Sequence, residues 1–265
     1  MTLPLERPVQ VGALRWKVID TRGARKNPVL VMLPGTLGTA AIFKDAMERL
    51  GTRVRMVSVT YPLIDDIHRL ADSLAALMDQ LGLTRASIVG SSLGGFLAQH
   101  FAARHPRRVE QLVLGNTLCD PGLTRNIVGR QPLERLRDAP ATTHRSMVLD
   151  SVRSWPETDP AAKKLKILLI DSGTRLLSAR AVKARVLAVQ AAPAVPQLEI
   201  PGERITVIDC EDDPLLPRVV QDDVVRRYPG ARHVRLKTGG HYPYVVRPGD
   251  YCAALERALG IAPAP

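Results

Sequence analysis

Apolar residues along this chain fall into two kinds of run, short unbroken ones and longer ones spaced at helical period, and the two kinds alternate. Pro28 to Leu33, Arg53 to Thr60, Val109 to Gly115, and residues 204–209 and 231–237 are of the first kind, as is the stretch from residue 86 to the turn at Gly90. Runs of this length, bounded by turn residues, predict strands, and their continuous apolarity predicts a sheet covered on both faces. The second kind is clearest from Asp65 to Leu81, where Ile67, Leu70, Leu74, Leu77 and Met78 recur at i, i+3 and i+4 on one helical face. Further helices are predicted at about 39–50, 216–228 and 248–260, and after residue 92 as far as 104. Residues 9 to 20 alternate as an edge hairpin does; Thr21 to Asn27 is polar turn material, and Ala262 to Pro265 reads as a frayed tail.

Strands alternating with helices predict a mostly parallel central sheet with helices on both faces, whose sites lie at the carboxyl ends of the strands. One stretch breaks the rhythm. From residue 118 to about 200 there are scattered prolines, many arginines and several helical patterns, but no clear strand until Ile205. The expectation is a single domain over residues 1–265, with core segments 1–117 and 201–265 and an inserted helical cap at 118–200.

A length of 265 residues with 45% apolar content supports a well-developed core. Cys119, Cys210 and Cys252 are odd in number and widely spaced, which speaks against a disulfide framework and against zinc. The first residues, Met1 to Pro8, lack a basic segment followed by an apolar stretch, and no run approaches a membrane span. A soluble cytoplasmic protein is expected. The net charge of +11 is concentrated, with 13 Lys plus Arg against 6 Asp plus Glu over residues 121–190. Dense basic blocks and zinc-finger spacings are missing, and only 4% of residues are aromatic, so a nucleic-acid partner is not expected. A solvated arginine-rich face accounts for the charge, and an anionic substrate is the alternative.

The chemistry centres on Gly90-Ser91-Ser92-Leu93-Gly94, a G-x-S-x-G turn between a strand and a helix. Such a turn lifts a serine hydroxyl out of the fold at a helix N-terminus, where the N–H of the next residue, Leu93, can hold a developing oxyanion. Ser92 sits midway between the glycines, and Ser91 is left to satisfy local backbone. A serine needs a base, and the base needs a third group to orient it. Of six histidines, His68, His100, His144 and His233 fall within elements or the basic stretch, and His105 suits a helix end. His241, in Thr238-Gly239-Gly240-His241, directly follows a strand and is the candidate base. The acid should lie between serine and histidine in the chain, after a strand. Asp213 is the choice, Asp212 the next, with Asp209 at the strand end and Asp120 further candidates. The second oxyanion N–H is assigned to Thr36, in Pro34-Gly35-Thr36-Leu37-Gly38. No metal or cofactor is expected, and neither a phosphate-loop nor a dinucleotide-binding glycine pattern is present.

From Val31-Met32-Leu33-Pro34-Gly35 to Arg247-Pro248 the chain resembles the α/β-hydrolase superfamily. Gly90 to Gln99, Tyr228-Pro229-Gly230-Ala231-Arg232 and Leu236 to Gly240 are similar to maspardin-like proteins. The superfamily implies a hydrolytic site, whereas maspardin-like proteins imply a binding or adaptor role with an imperfect triad. This chain departs from the latter by carrying His241 at the base position, and from the former by opening its oxyanion loop with Pro34-Gly35 in place of His-Gly. The expectation is a serine hydrolase of an ester or thioester on a small-molecule acyl substrate. The alternatives are a maspardin-like adaptor and a C–C bond hydrolase or lyase on the same scaffold.

Overall fold

The computed structural model describes residues 3–22, 28–128 and 132–261. Most of the turn expected at Thr21 to Asn27, and the whole tail from Ala262, lie outside them. Among the described residues, eight strands form one sheet in the order β1-β2-β4-β3-β5-β6-β7-β8. They are β1 (Arg7–Val11), β2 (Leu14–Asp20), β3 (Val29–Leu33), β4 (Arg55–Thr60), β5 (Ala86–Ser91), β6 (Val109–Gly115), β7 (Ile205–Cys210) and β8 (Arg232–Leu236). The hairpin β1-β2 turns at Gly12, whose φ of 56° suits glycine, and β2 pairs antiparallel with β4. All remaining pairings are parallel.

The apolar runs sort by alternation onto two faces. Val31 and Leu33 of β3, Val57 and Val59 of β4, Ile88 of β5 and Val207 of β7 join α2 (Ile67–Gln80), α3 (Leu93–Arg104) and α9 (Arg218–Arg227) in one core layer. Leu30, Met32, Met56, Val89, Val113 and Ile208 face the other, with α1 (Lys44–Leu50), the turn α10 (Pro243–Val246) and α11 (Pro248–Leu259). Burial on both sides explains why these strands read as unbroken apolar stretches. The helix expected from residue 39 begins as a 3-10 turn at Ala40–Phe43 before α1, and α10 lies where no helix was expected.

Between β6 and β7 the described residues form five α-helices, α4 (Pro121–Val128), α5 (Leu133–Asp138), α6 (Ala141–Ser154), α7 (Pro160–Asp171) and α8 (Ala179–Gln190), with a π turn at Ser172–Leu176. Leu149, Leu165, Leu169 and Val182 bury on the layer that holds Leu37 and Tyr242. Polar ties fasten the segment to the sheet's carboxyl edge: Ser172 Oγ donates to the carbonyl of Leu37, and Arg247 pairs with Asp159. Among the described residues no helix is long and apolar enough to cross a membrane.

Candidate active site

Ser92 links β5 to α3 with φ 56° and ψ −120°, a conformation that costs a non-glycine residue on the order of 1–3 kcal/mol. The surroundings over-determine it. Ser92 N–H donates to the Gly115 carbonyl (2.9 Å), and Ser92 O accepts from Phe96 N–H (2.9 Å) and Thr117 Oγ1 (2.7 Å). The flanking glycines permit the turn because a Cβ on Gly90 would lie 2.1 Å from the Gly94 carbonyl oxygen, and one on Gly94 would lie 1.9 Å from that of Leu33. Ser92 is half-buried at the apex, while Ser91 is fully buried.

The four candidate acids divide their work. Asp209, inside β7, is held by Arg235 (2.6 and 2.7 Å) and by His233 Nε2 (2.8 Å). Asp212 accepts the N–H groups of Gly239 (3.2 Å) and Gly240 (2.8 Å), which anchors the loop ahead of His241. Asp213 uses Oδ1 for the N–H groups of Leu215 (2.8 Å) and Leu216 (3.1 Å), and its Oδ2 lies 2.8 Å from His241 Nδ1. Asp120 Oδ1 accepts the Gly122 N–H (2.7 Å), away from this pair. The side chains of Asp213 and His241 are 0% and 1% exposed, so the ion pair or hydrogen bond between them forms out of water. A carboxylate beside Nδ1 selects the tautomer with its proton there, which leaves Nε2 as the acceptor. That Nε2 is buried and has no hydrogen-bond partner among the described residues. The other histidines are placed elsewhere: His68 and His100 meet edge to face, His105 caps α3 beside Asp72, and His144 Nδ1 meets the Pro140 carbonyl.

The loop after β3 passes directly beside the serine, since a Cβ built on Gly35 would sit 3.3 Å from Ser92 Cβ. Gly35 O accepts the N–H of Gly38 (2.9 Å), and a planar trans peptide therefore turns the N–H of Thr36 to the opposite side of its plane. Leu93 opens α3, in the first turn, where an N–H has no carbonyl four residues earlier. Both assigned donors are thus backbone groups at the strand ends that flank Ser92. Among the described residues no cluster of three or more His, Cys, Asp or Glu could hold a metal ion.

Several residues of this region went unread in the sequence. Asn116, at φ 34° just past β6, accepts Cys210 N–H (3.1 Å) through Oδ1 and donates through Nδ2 to the Gly240 carbonyl (2.7 Å), joining three strand ends. A small polar residue one step beyond a strand, level with Ser92, was its available signal. Trp155, at the end of α6, lies edge-on to His241 with ring centroids 5.9 Å apart. Tyr242, which packs on the same imidazole, is fully buried, and burial pushes its hydroxyl well above the usual range. Neither ring carries any pattern visible in the sequence.

The sheet order, the serine turn and the Asp–His pair at strand ends define a class of protein. The model of the alpha/beta hydrolase family matches residues 30–255, and the chain belongs to that family. Within it the chain resembles maspardin: that of Danio rerio is 28% identical over 260 residues, spanning 94% of this chain and 80% of the relative. A pimeloyl-[acyl-carrier protein] methyl ester esterase of Aeromonas hydrophila is 22% identical over 264 residues, covering 89% of this chain and 96% of the esterase. Among solved structures, an enol-lactonase of Burkholderia xenovorans superposes with a TM-score of 0.78 at 20% identity, over 96% of this chain and 100% of the lactonase.

Proposed function

We propose that the protein is a serine hydrolase of esters or thioesters that works through an acyl-enzyme. The observation that carries this reading is the buried Asp213–His241 pair, at 2.8 Å, whose Nε2 has no partner among the described residues, together with the strained turn that holds Ser92 between β5 and α3. In this mechanism Ser92 Oγ attacks the acyl carbon and His241 Nε2 takes the serine proton. The Asp213 carboxylate stabilises the imidazolium, and the N–H groups of Thr36 and Leu93 receive the oxyanion. Collapse expels the leaving group with the proton from His241. Water, deprotonated by the same nitrogen, then releases the acid. Trp155, edge-on to the imidazole, lowers the polarity around it, and a less polar site strengthens each of these charge interactions. The helices between β6 and β7 act as the cap over this edge. Two relatives carry ester chemistry in their names, the methyl ester esterase and the enol-lactonase.

A second reading is favoured by the 28% identity to maspardin along 94% of the chain. It is a binding module that keeps the fold without turnover. A panel of esters and thioesters separates the two, with Ser92→Ala as control. Hydrolysis by the unaltered protein that Ser92→Ala abolishes supports the hydrolase, and failure to turn over either class supports the binding module.

A further inference from the structure

Arg185 projects from α8 into the interior at 2% exposure, among the largest fully buried side chains of the protein. A buried guanidinium is costly unless it is paired and hydrogen-bonded, so the fate of each nitrogen matters. Nη1 donates to the carbonyls of Thr36 and Gly38, both at 2.8 Å, and the guanidinium carbon lies 5.1 Å from the centre of the Tyr61 ring. Nε and Nη2 are buried and have no partner among the described residues. Among the described residues no carboxylate pairs with the group directly. Tyr61 and Tyr242 remain neutral hydroxyls because burial raises both, and Glu6, the acid whose field reaches Arg185, is taken up by Thr60 Oγ1 (2.5 Å) and Lys17 (3.5 Å). Burial lowers Arg185 only to about 10, so the cation persists at neutral pH.

The two unpaired nitrogens form one edge of the planar guanidinium, and that edge presents parallel N–H donors matched to the two oxygens of a carboxylate. The guanidinium is held in place through Nη1 by the same loop whose Thr36 N–H is assigned to the oxyanion. We propose that the Nε–Nη2 edge of Arg185 is a subsite for a carboxylate carried on the acyl part of the substrate, so that the protein acts on monoesters of short dicarboxylic acids. This rests on the hydrolase reading of Ser92 and names its substrate class. The surplus of basic residues over 121–190, of which Arg185 is one, draws such an anion towards the edge.

The test is made on Ser92→Ala protein, which binds without turnover, by titration calorimetry with monomethyl succinate and with its neutral counterpart dimethyl succinate. The ratio of the two affinities is read, because loss of the Nη1 bonds shifts both ligands together. The monoester is expected to bind about tenfold tighter or more, and Arg185→Met, added to Ser92→Ala, should bring the ratio close to one. Arg185→Lys keeps the charge and loses the two-pronged edge, and should lower the ratio at least about threefold; it decides the matter if Arg185→Met fails to fold. Equal binding of the two ligands, no monoester binding tighter than about 10 mM, or an unchanged ratio in Arg185→Lys overturns the subsite. Fluorophosphonate labelling of the unaltered protein is scored separately. Labelling at Ser92 with equal ligand binding sinks the subsite alone, whereas no labelling sinks the hydrolase reading and leaves the affinity ratio to stand or fall by itself.

Discussion

Replacing Asp213 by Asn separates the role of its two oxygens. The amide oxygen can keep accepting from Leu215 and Leu216 as Oδ1 now does, which leaves the NH2 group facing His241 Nδ1. An imidazole met by a donor at Nδ1 must carry its own proton on Nε2, and it can then no longer accept one from Ser92. The loss is of the base and of the charge that stabilises the imidazolium, so kcat should fall about 10³–10⁴-fold, equivalent to roughly 4–5.5 kcal/mol in the barrier. Asp212→Asn is the internal control. It forfeits one of the two bonds to Gly239 and Gly240, so the histidine loop loosens while the tautomer stays correct, and the cost should be about tenfold. Steady-state hydrolysis of an activated ester, with circular dichroism and a melting curve for each variant, makes the comparison. A loss within tenfold for folded Asp213→Asn, or a larger loss for Asp212→Asn, would refute the division of labour.

Two further outcomes follow from buried polar groups. Burial against Phe96 and His68 lowers His100 from 6.5 to about 4. Between those values the unfolded chain takes up a proton that the native state refuses, so the stability is fully present above pH 6.5 and drains away towards pH 4, by on the order of 3 kcal/mol. Urea unfolding at pH 7 and pH 4.5 checks the drop, which His100→Gln should flatten; a slope equal in the two proteins would reject it. Asn116→Ala strands the Cys210 N–H and the Gly240 carbonyl, and should destabilise by about 2–4 kcal/mol while slowing turnover. Denaturant titration measures the first effect, and a change below about 1 kcal/mol would mean that Asn116 does not join the strand ends energetically.

The parts legible in the sequence are those whose cause is local. Each strand between two helical layers announces itself as an apolar run, because alternate residues such as Leu30 and Val31 are both buried, on opposite faces. The serine turn is equally local, since Gly90 and Gly94 are required by backbone contacts within it and with Leu33. Asp213 and His241 could be ranked by chain order, but the register of the acid could not, because Asp212 and Asp213 are neighbours that bond to adjacent residues of one loop, Gly240 and His241. What stayed hidden depends on distant partners. Arg185 meets a carbonyl 149 residues earlier and is one of thirteen basic residues in its stretch. The helices of 118–200 gave only a vague pattern, since their apolar residues divide between the sheet edge and one another.

The central claim is that Ser92 is a nucleophile activated by His241. It is tested most directly by treating the folded protein with a fluorophosphonate and mapping the adduct by peptide mass spectrometry. The account predicts one adduct per chain, on Ser92, absent in Ser92→Ala and formed at least about a hundredfold more slowly in His241→Gln. A folded protein that resists labelling, or one labelled at another residue and unaffected by Ser92→Ala, would contradict it.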